Sequence, residues 1–238
     1  MLVGGLDWLI FMPHLVLLGD SIFDNAGYTS GGPDVISQVR SLLPSLWQAS
    51  LLAIDGSTTD YIPDQIARLP KQVTHLVLSV GGNNALMNAS DLGIPMFGSA
   101  THDGPLLPIV NMEKLAHIYE NFEMRYRTAV KACLGPGLPL GICTIYNGCF
   151  PDTKFQRIAS VALAIFNDVI VRVAIEHNLP VIDLRLICTD PEDYANPIEP
   201  SSKGGEKIAR AVVALVTGAD SFPQATKIVG ASKIHNER

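Results

Sequence analysis

Three apolar stretches of this sequence end in a glycine that is accompanied by small polar residues. They are Gly19-Asp20-Ser21, Asp55-Gly56-Ser57 and the run GGNN at positions 81–84. Each could be a simple turn, because Gly, Asn, Asp and Ser suit the backbone of turns. If the three ends lie side by side, they supply one hydroxyl nucleophile, Ser21, together with backbone N–H groups and an amide. This set is typical of acyl transfer, in which a serine attacks a carbonyl and N–H groups bind the developing oxyanion.

The elements that must position these residues alternate between strands and helices. Apolar residues spaced by three and four predict helices that begin near Leu115, Phe155 and Lys203. Alternation of this kind predicts a parallel sheet with helices on both faces, and ligands bind beyond the carboxyl ends of such strands. Continuous apolar runs predict five strands that are buried on both faces, at 14–19, 49–54, 74–81, 140–146 and 180–185.

The polar strand ends resemble sequence blocks of the GDSL, or SGNH, family of serine esterases and lipases. LLGDSIFDN (17–25) resembles the first block of that family. Gly56 stands where the second block has a glycine, and GGNN is similar to the third block, usually G-x-N-D. Asn84 therefore replaces the usual aspartate. The blocks occur in the family's order and spacing, and the resemblance extends from about residue 14 to residue 216.

This resemblance implies a flavodoxin-like three-layer α/β/α sandwich, with a five-stranded parallel sheet of order 2-1-3-4-5. It also implies a serine hydrolase that acts on ester bonds, of the acyl ester or O-acetyl carbohydrate type, with Ser21 as the nucleophile. The backbone N–H groups of Ser21 and Gly56 and the side-chain amide of Asn83 would form the oxyanion hole. Asp20 is expected to support the site without contacting the reacting atoms.

The family's last block, D-x-x-H before the C-terminal helix, is altered in this chain. The sequence N-P-I-E places Asn196 at the position of the aspartate and Glu199 at the position of the histidine base. In one interpretation the site is impaired, and the chain is a ligand-binding protein or pseudo-enzyme. In another, Glu199 takes the proton of Ser21 and returns it to the leaving group. An esterase that borrows His102 from the stretch 90–111 is a third alternative.

The chemistry of the double replacement favours an active hydrolase with a Ser21–Glu199 pair. A free glutamate has a pKa of about 4.3, against about 6.5 for histidine, so its affinity for the proton is lower by at most about 3 kcal/mol. Burial raises a carboxyl pKa and recovers part of this difference. An aspartate stabilises an imidazolium base but would repel a carboxylate base, to which Asn196 could instead donate an amide hydrogen bond. Loss of function alone would not require two matching changes.

Other catalytic and cofactor-binding motifs are missing from the sequence. There is no G-x-S-x-G elbow, no G-x-G-x-x-G after the first strand and no G-x-x-x-x-G-K-[ST]. The six histidines lack metal-ligand spacing, although His102 and Asp103 lie together in the long irregular stretch 90–111, a candidate lid or substrate loop. The sequence therefore predicts no cofactor and no metal.

Length and composition predict one soluble domain over residues 1–238, with its core at about 14–216 and a tail at about 217–238. The net charge of -6 is spread along the chain without a basic patch, which argues against nucleic acid and leaves a small-molecule ester as the expected partner. The N-terminal stretch lacks the features of an export signal, and no apolar run is long enough to suggest a membrane span. A reduced, cytoplasmic protein is indicated by four cysteines without CxxC spacing, Cys133, Cys143, Cys149 and Cys188.

Overall fold

A parallel sheet of five strands lies at the centre of the computed structural model, which describes residues 12–89 and 112–218. The five strands are β1 (His14–Gly19), β2 (Gln48–Leu51), β3 (His75–Ser79), β4 (Leu140–Cys143) and β5 (Val181–Ile182). Their order in the sheet is β2-β1-β3-β4-β5, and every neighbouring pair is parallel. Two short antiparallel strands, β6 (Tyr194–Asn196) and β7 (Glu199–Pro200), form a separate hairpin. The predicted sheet and strand order are therefore confirmed.

Helices cover both faces of this sheet. Successive residues of a strand point to opposite faces, so Leu15 and Leu17 pack with α1, α6 and α7, while Val16 and Leu18 pack with α2, α4 and α5. All four side chains are fully buried, which explains why β1 is a continuous apolar run. The described helices are α1 (Val35–Leu42), α2 (Ile62–Ile66), α3 (Gly82–Met87), α4 (Met112–Leu134), α5 (Thr153–His177), α6 (Leu184–Ile187) and α7 (Ser202–Thr217).

Four of the five predicted strands are shorter in the structure, since the runs 74–81 and 140–146 form strands only over 75–79 and 140–143 and two further runs are also cut. The run 49–54 leaves the sheet after β2, because the N–H groups of Leu52 and Ala53 both donate to the carbonyl of Leu17. The run 180–185 ends at Ile182, because the Asp183 side chain accepts from the N–H of Arg185 and caps α6. The sequence analysis did not find the short helices α1, α2, α3 and α6 or the β6–β7 hairpin. Most of the predicted tail, residues 219–238, lies outside the described residues.

Gly19 ends β1 at a point where this strand passes close to β3. Its φ is +127°, and a Cβ atom at this position would lie 1.7 Å from the carbonyl oxygen of Ser79. The N–H of Asp20 donates to the same carbonyl at 3.1 Å. The buried Gln65 side chain accepts from the N–H of Gly19 and donates to its carbonyl, both at 2.8 Å. Only glycine fits here, and the position of Ser21 depends on this contact.

Replacement of Gly19 by alanine is expected to lower the free energy of unfolding by more than about 3 kcal/mol, because the new methyl group would overlap the Ser79 carbonyl at a φ that favours glycine. Guanidinium denaturation followed by circular dichroism measures this change. Gly27→Ala is the matched control, since no atom lies within 4 Å of its added Cβ. A Gly19→Ala protein that unfolds at the denaturant concentration of the wild type would contradict this account of the strand end.

Candidate active site

Ser21 lies in a tight turn directly after β1. The Asp20 carbonyl accepts from the N–H groups of Phe23 and Asp24, both at 3.1 Å, so the chain reverses as soon as it leaves the sheet. The Asp20 side chain accepts from the N–H of Ile22 at 3.2 Å and fixes the turn further. Ser21 is only 7% exposed and lines a cavity at the carboxyl edge of the sheet. The turn thus presents the Ser21 hydroxyl to this cavity.

Glu199 reaches the same cavity from the turn of the β6–β7 hairpin. The Asn196 side-chain oxygen accepts from the N–H groups of Ile198 and Glu199, both at 3.0 Å, in the manner of an Asx turn. The predicted amide hydrogen bond from Asn196 to the Glu199 carboxylate is therefore wrong. Asn196 is exposed, and it orients the backbone of Glu199 through its oxygen.

Two buried side chains hold this turn against the rest of the site. The Tyr146 hydroxyl donates to the carbonyl of Ile198 at 2.5 Å. The Asn25 amide donates to the carbonyl of Pro200 at 3.2 Å, while its oxygen accepts from a backbone N–H at the start of α1 at 2.9 Å. The sequence analysis gave neither residue a role, although Asn25 is the last residue of the quoted stretch LLGDSIFDN.

The Glu199 carboxyl is buried and interacts with the Ser21 hydroxyl. Burial raises the pKa of Glu199 to about 7, while the hydrogen bond with Ser21 lowers it and the negative charge of Asp55 raises it. The second carboxyl oxygen, Oε2, is buried and has no hydrogen-bond partner among the residues that the structure describes. A glutamate in these surroundings has a pKa close to that of a free histidine.

Asp20 is a second buried carboxyl beside this pair. Burial raises its pKa to about 7, hydrogen bonds from the N–H groups of Ile22 and Gly81 lower it, and the charges of Glu199 and Asp55 raise it. Asp20 and Glu199 therefore each oppose the ionisation of the other. Two interacting carboxyls of this kind titrate as a pair.

Asp55 carries further negative charge at an exposed edge of the site. Its side chain accepts from the Tyr28 hydroxyl at 2.7 Å, and its N–H donates to the Asp24 carboxylate at 2.9 Å. This hydrogen bond to Asp55 is the main cause of the raised pKa of Tyr28. The acidic rim, which we define as Asp24, Asp55 and the Tyr28 hydroxyl, is thus adjacent to Glu199.

Asn83 and Gly56, the predicted oxyanion donors, have different surroundings. Asn83 lies in the first turn of α3 and lines the cavity with Ser21 and Glu199. One hydrogen of its amide is donated to the Ser57 carbonyl at 2.9 Å, which leaves the second available. Gly56, with φ +78°, is exposed in the loop after β2 and is not part of the cavity lining. The structure therefore brings Asp20, Ser21, Asn83 and Glu199 together and leaves Gly56 in the adjacent loop.

Asn84, which replaces the usual aspartate of the family, holds this loop in place. It is buried, its side-chain oxygen accepts from the N–H of Thr59 at 3.1 Å, and its amide donates to the Thr59 hydroxyl at 3.0 Å. Asn84 thus joins the start of α3 to the chain that follows Gly56.

Apolar side chains form most of the remaining cavity wall. Helix α3 and the residues just after it contribute one side, and helix α5 contributes the other. The α3 side contributes three apolar residues and α5 contributes five: Ala85, Leu86 and Ala89, and Phe155, Ala159, Ala162, Leu163 and Phe166. The site is therefore polar at the strand ends and apolar between the two helices, as is common in small-molecule sites.

Helix α5 is itself strongly apolar. It is the one described helix that is long and apolar enough to cross a membrane, since a stretch of 18 residues within it has a mean hydropathy of 2.0, and this departs from the prediction that no run could do so. A core helix of a soluble protein passes the same test. Phe166 and Val169 are buried in the core, and the buried Asn167 exchanges two 2.8 Å hydrogen bonds with the backbone of Ile145. Asn167 thereby fixes the end of β4 against α5.

No group of three His, Cys, Asp or Glu residues that could hold a metal ion lies within 12–89 and 112–218. His117 and His177 are exposed on their helices. His102 and Asp103, with the whole stretch 90–111, lie outside the described residues, so the role of that stretch stays a prediction. All four cysteines are free, and three are buried, namely Cys133, Cys143 and Cys188.

Residues 17–206 match the model of the GDSL-like lipase/acylhydrolase family. Crystal structures with the same fold include an extracellular lipase from Streptomyces rimosus, with 14% identity and a TM-score of 0.59 over 87% of this chain and 99% of the lipase. A lipase/acylhydrolase from Enterococcus faecalis has 20% identity and a TM-score of 0.56 over 87% and 96%. A catalytic mutant of an acetylxylan esterase from Geobacillus stearothermophilus has 17% identity and a TM-score of 0.57 over 84% and 92%. No curated protein matches the chain at a significant level.

Because the family model covers most of the chain, the protein belongs to the GDSL-like lipase/acylhydrolase family, as its sequence blocks predicted. It is an esterase of the GDSL type, and its substrates are small molecules with ester bonds.

Two replacements of Asn84 separate the effect of its hydrogen bonds from the effect of a charge at this position. Asn84→Asp, which restores the usual residue of the family, is expected to change the free energy of unfolding by less than about 1 kcal/mol at pH 8, because the Thr59 hydroxyl can rotate and donate to a carboxylate. Asn84→Ala leaves the buried N–H of Thr59 without an acceptor and should cost about 1–3 kcal/mol. Chemical denaturation of both variants checks this, and an aspartate variant as unstable as the alanine variant would contradict it.

Proposed function

We propose that the protein hydrolyses esters through an acyl-enzyme on Ser21, with Glu199 as the general base. The observation that carries this proposal is that Ser21 and the buried Glu199 carboxyl line the same cavity, where burial raises and Ser21 lowers the pKa of that carboxyl, to about 7. A base acts best when its pKa lies near the working pH. Burial thus compensates for the loss of the histidine.

In the acylation step, Glu199 accepts the Ser21 proton as Oγ attacks the ester carbonyl carbon. The carbonyl oxygen becomes an oxyanion, which the free amide hydrogen of Asn83 and the backbone N–H of Ser21 stabilise. The N–H of Gly56 is the third proposed donor. Collapse of this intermediate breaks the bond to the alcohol oxygen, which takes the proton from Glu199 and leaves.

In the deacylation step, Glu199 accepts a proton from water, and the resulting hydroxide attacks the acyl carbon. The bond to Ser21 Oγ breaks, Oγ regains the proton from Glu199, and the acid product leaves. In each half of the reaction, Glu199 therefore starts as a carboxylate, accepts one proton and gives it back. Asp20 acts as a positioning residue, because its carboxyl binds the N–H groups of Ile22 and Gly81 and so fixes the turn that carries Ser21.

The free cysteines favour a reducing compartment, and we propose a cytoplasmic location on that ground. The alternative of a ligand-binding protein makes no use of the contact between Ser21 and Glu199.

A fluorophosphonate probe is expected to attach covalently to one serine of the native protein, and the label should be lost in Ser21→Ala. The exposed Ser37 on α1 provides the matched control, since Ser37→Ala should label like the wild type. Asn83→Ala should lower kcat by roughly 10²–10³-fold, as is usual when one oxyanion donor is removed. Mass spectrometry and p-nitrophenyl ester kinetics measure these effects. Absence of labelling across the pH range would favour the binding protein.

Glu199→Gln keeps the size of the side chain but removes its basicity, so kcat/KM should fall by roughly 10²–10⁴-fold while the fold is retained. Wild-type activity should rise with pH through an apparent pKa of about 7, because the ionised carboxylate is the active form and is lost as the pH falls. Asp20→Asn should move this midpoint downward, since it removes a neighbouring negative charge.

The control for this experiment is Glu206→Gln on α7, where an exposed glutamate pairs with Arg210. It should leave both the rate and the pH profile unchanged. A Glu199→Gln enzyme as fast as the wild type would exclude Glu199 as the base, and the search would then move to His102.

A further inference from the structure

We propose that the ester substrate has an apolar acyl chain of several carbons, and that this chain lies in the cavity between α3 and α5. This inference rests on the proposed function of Ser21 and adds the class of its substrate. It also assigns Ala159 and Ala162 of α5 as the residues that determine how long a chain the site accepts.

The cavity has one polar end and one apolar end. Its polar lining is concentrated around Ser21, where Asp20, Asn83 and Glu199 also lie. Away from Ser21 the lining is apolar, and Leu86 and Ala89 on the α3 side lie across from α5. A hydrocarbon chain leaves no polar group unsatisfied in such a space, whereas a polar group would lose its hydrogen bonds to water there.

The direction of the acyl chain follows from the position of the base. Glu199 must give its proton to the leaving alcohol, so the alcohol has to lie on the side of Glu199. Asp55 acts on Glu199 from that side, and the acidic rim there is exposed and polar. The alcohol therefore faces the rim and solvent. The acyl chain points the other way, into the apolar end between α3 and α5.

Small residues on one face of α5 create the space for this chain. Phe155, Ala159, Ala162 and Phe166 recur at helical spacing and all line the cavity. Between the two phenylalanines, each alanine leaves room that a larger side chain would fill. Val161 directly precedes Ala162 in the helix but points outward, with 70% of its surface exposed. The two faces of α5 thus provide a test position and a matched control.

The test compares p-nitrophenyl acetate, butyrate and octanoate below their micelle concentrations. For the wild type, kcat/KM is expected to rise by about 10-fold or more from acetate to butyrate and to rise again for octanoate, since burial of one CH₂ corresponds to about a fourfold change. Ala162→Trp should lower the ratio of kcat/KM for octanoate to kcat/KM for acetate by about 30-fold or more. Val161→Trp should match the wild type for all three esters.

If the tryptophan variant does not fold, Ala162→Met replaces it as the test variant. The methionine should reduce the preference for octanoate, but by less than tryptophan would. A wild-type profile that is flat or falls with acyl length overturns the inference while leaving the esterase function intact. Esters with acetyl groups and long alkyl alcohols test the opposite orientation, and a preference for octyl acetate over ethyl acetate would overturn the assignment of the cavity to the acyl chain.

A binding measurement on a protein without the nucleophile tests this inference separately from the proposed function. Calorimetry should show that octanamide binds the Ser21→Ala protein at least about 10-fold more tightly than butyramide does, and that Ala162→Trp removes the difference. If no ester is turned over but this preference holds, the proposed function fails and the chain-binding cavity stands. If octanamide binds no better than butyramide, the inference is wrong.

Discussion

The close approach of β1 to β3 at Gly19 constrains the rest of the site, because it sets how near the residues that follow these two strands lie to each other. A side chain at Gly19 would overlap the Ser79 carbonyl, and the buried Gln65 satisfies both backbone groups of Gly19. With the two strands this close, Ser21 after β1 and Asn83 after β3 face one cavity. The turn that carries Glu199 is then attached to this pair from outside, through Asn25 and Tyr146. Glu199 is thus held by hydrogen bonds to its backbone turn, and within 12–89 and 112–218 its carboxyl oxygen Oε2 has no hydrogen-bond partner.

In the proposed mechanism a glutamate takes the place of a histidine base, and this changes which physical term sets the proton affinity. An imidazole has a suitable pKa in water and needs a neighbouring carboxylate mainly for orientation and charge. A carboxyl must be desolvated to reach the same range, and burial is the largest cause of the raised pKa of Glu199. The aspartate of the usual block would add a second nearby negative charge. In this chain Asn196 supplies only its neutral oxygen to the backbone N–H groups of the turn, so it keeps the geometric part of the role without the charge.

The sequence predicted the parallel sheet and its order because long apolar runs and helical periodicity are strong local signals. It also found the blocks that carry Ser21, Asn83 and Glu199, since each block ends a strand or begins a helix. It could not predict the supports of the site, because these are single polar side chains that bond to distant backbone groups. Gln65 and Asn167 are examples: each is one amide in an ordinary helix, and its partner lies 46 or 22 residues away in the chain. The predicted orientation of the Asn196 side chain was wrong for a related reason. Residue type alone does not say whether the oxygen or the nitrogen of an amide bonds to the backbone.

The two buried carboxyls also have a thermodynamic consequence for the evolution of this enzyme. Asp20 and Glu199 have pKa values raised to about 7, so between roughly pH 4 and pH 7 the folded protein binds more protons than the unfolded chain. Their contribution to stability is therefore present in acid and is lost as the pH rises through 7. The same rise in pH ionises Glu199, so under the proposed mechanism the most active form of the site is also its least stable form. A lineage under selection for stability alone would tend to replace Glu199 by a neutral residue. Its retention would then depend on selection for turnover, with compensating stability supplied by the two apolar cores.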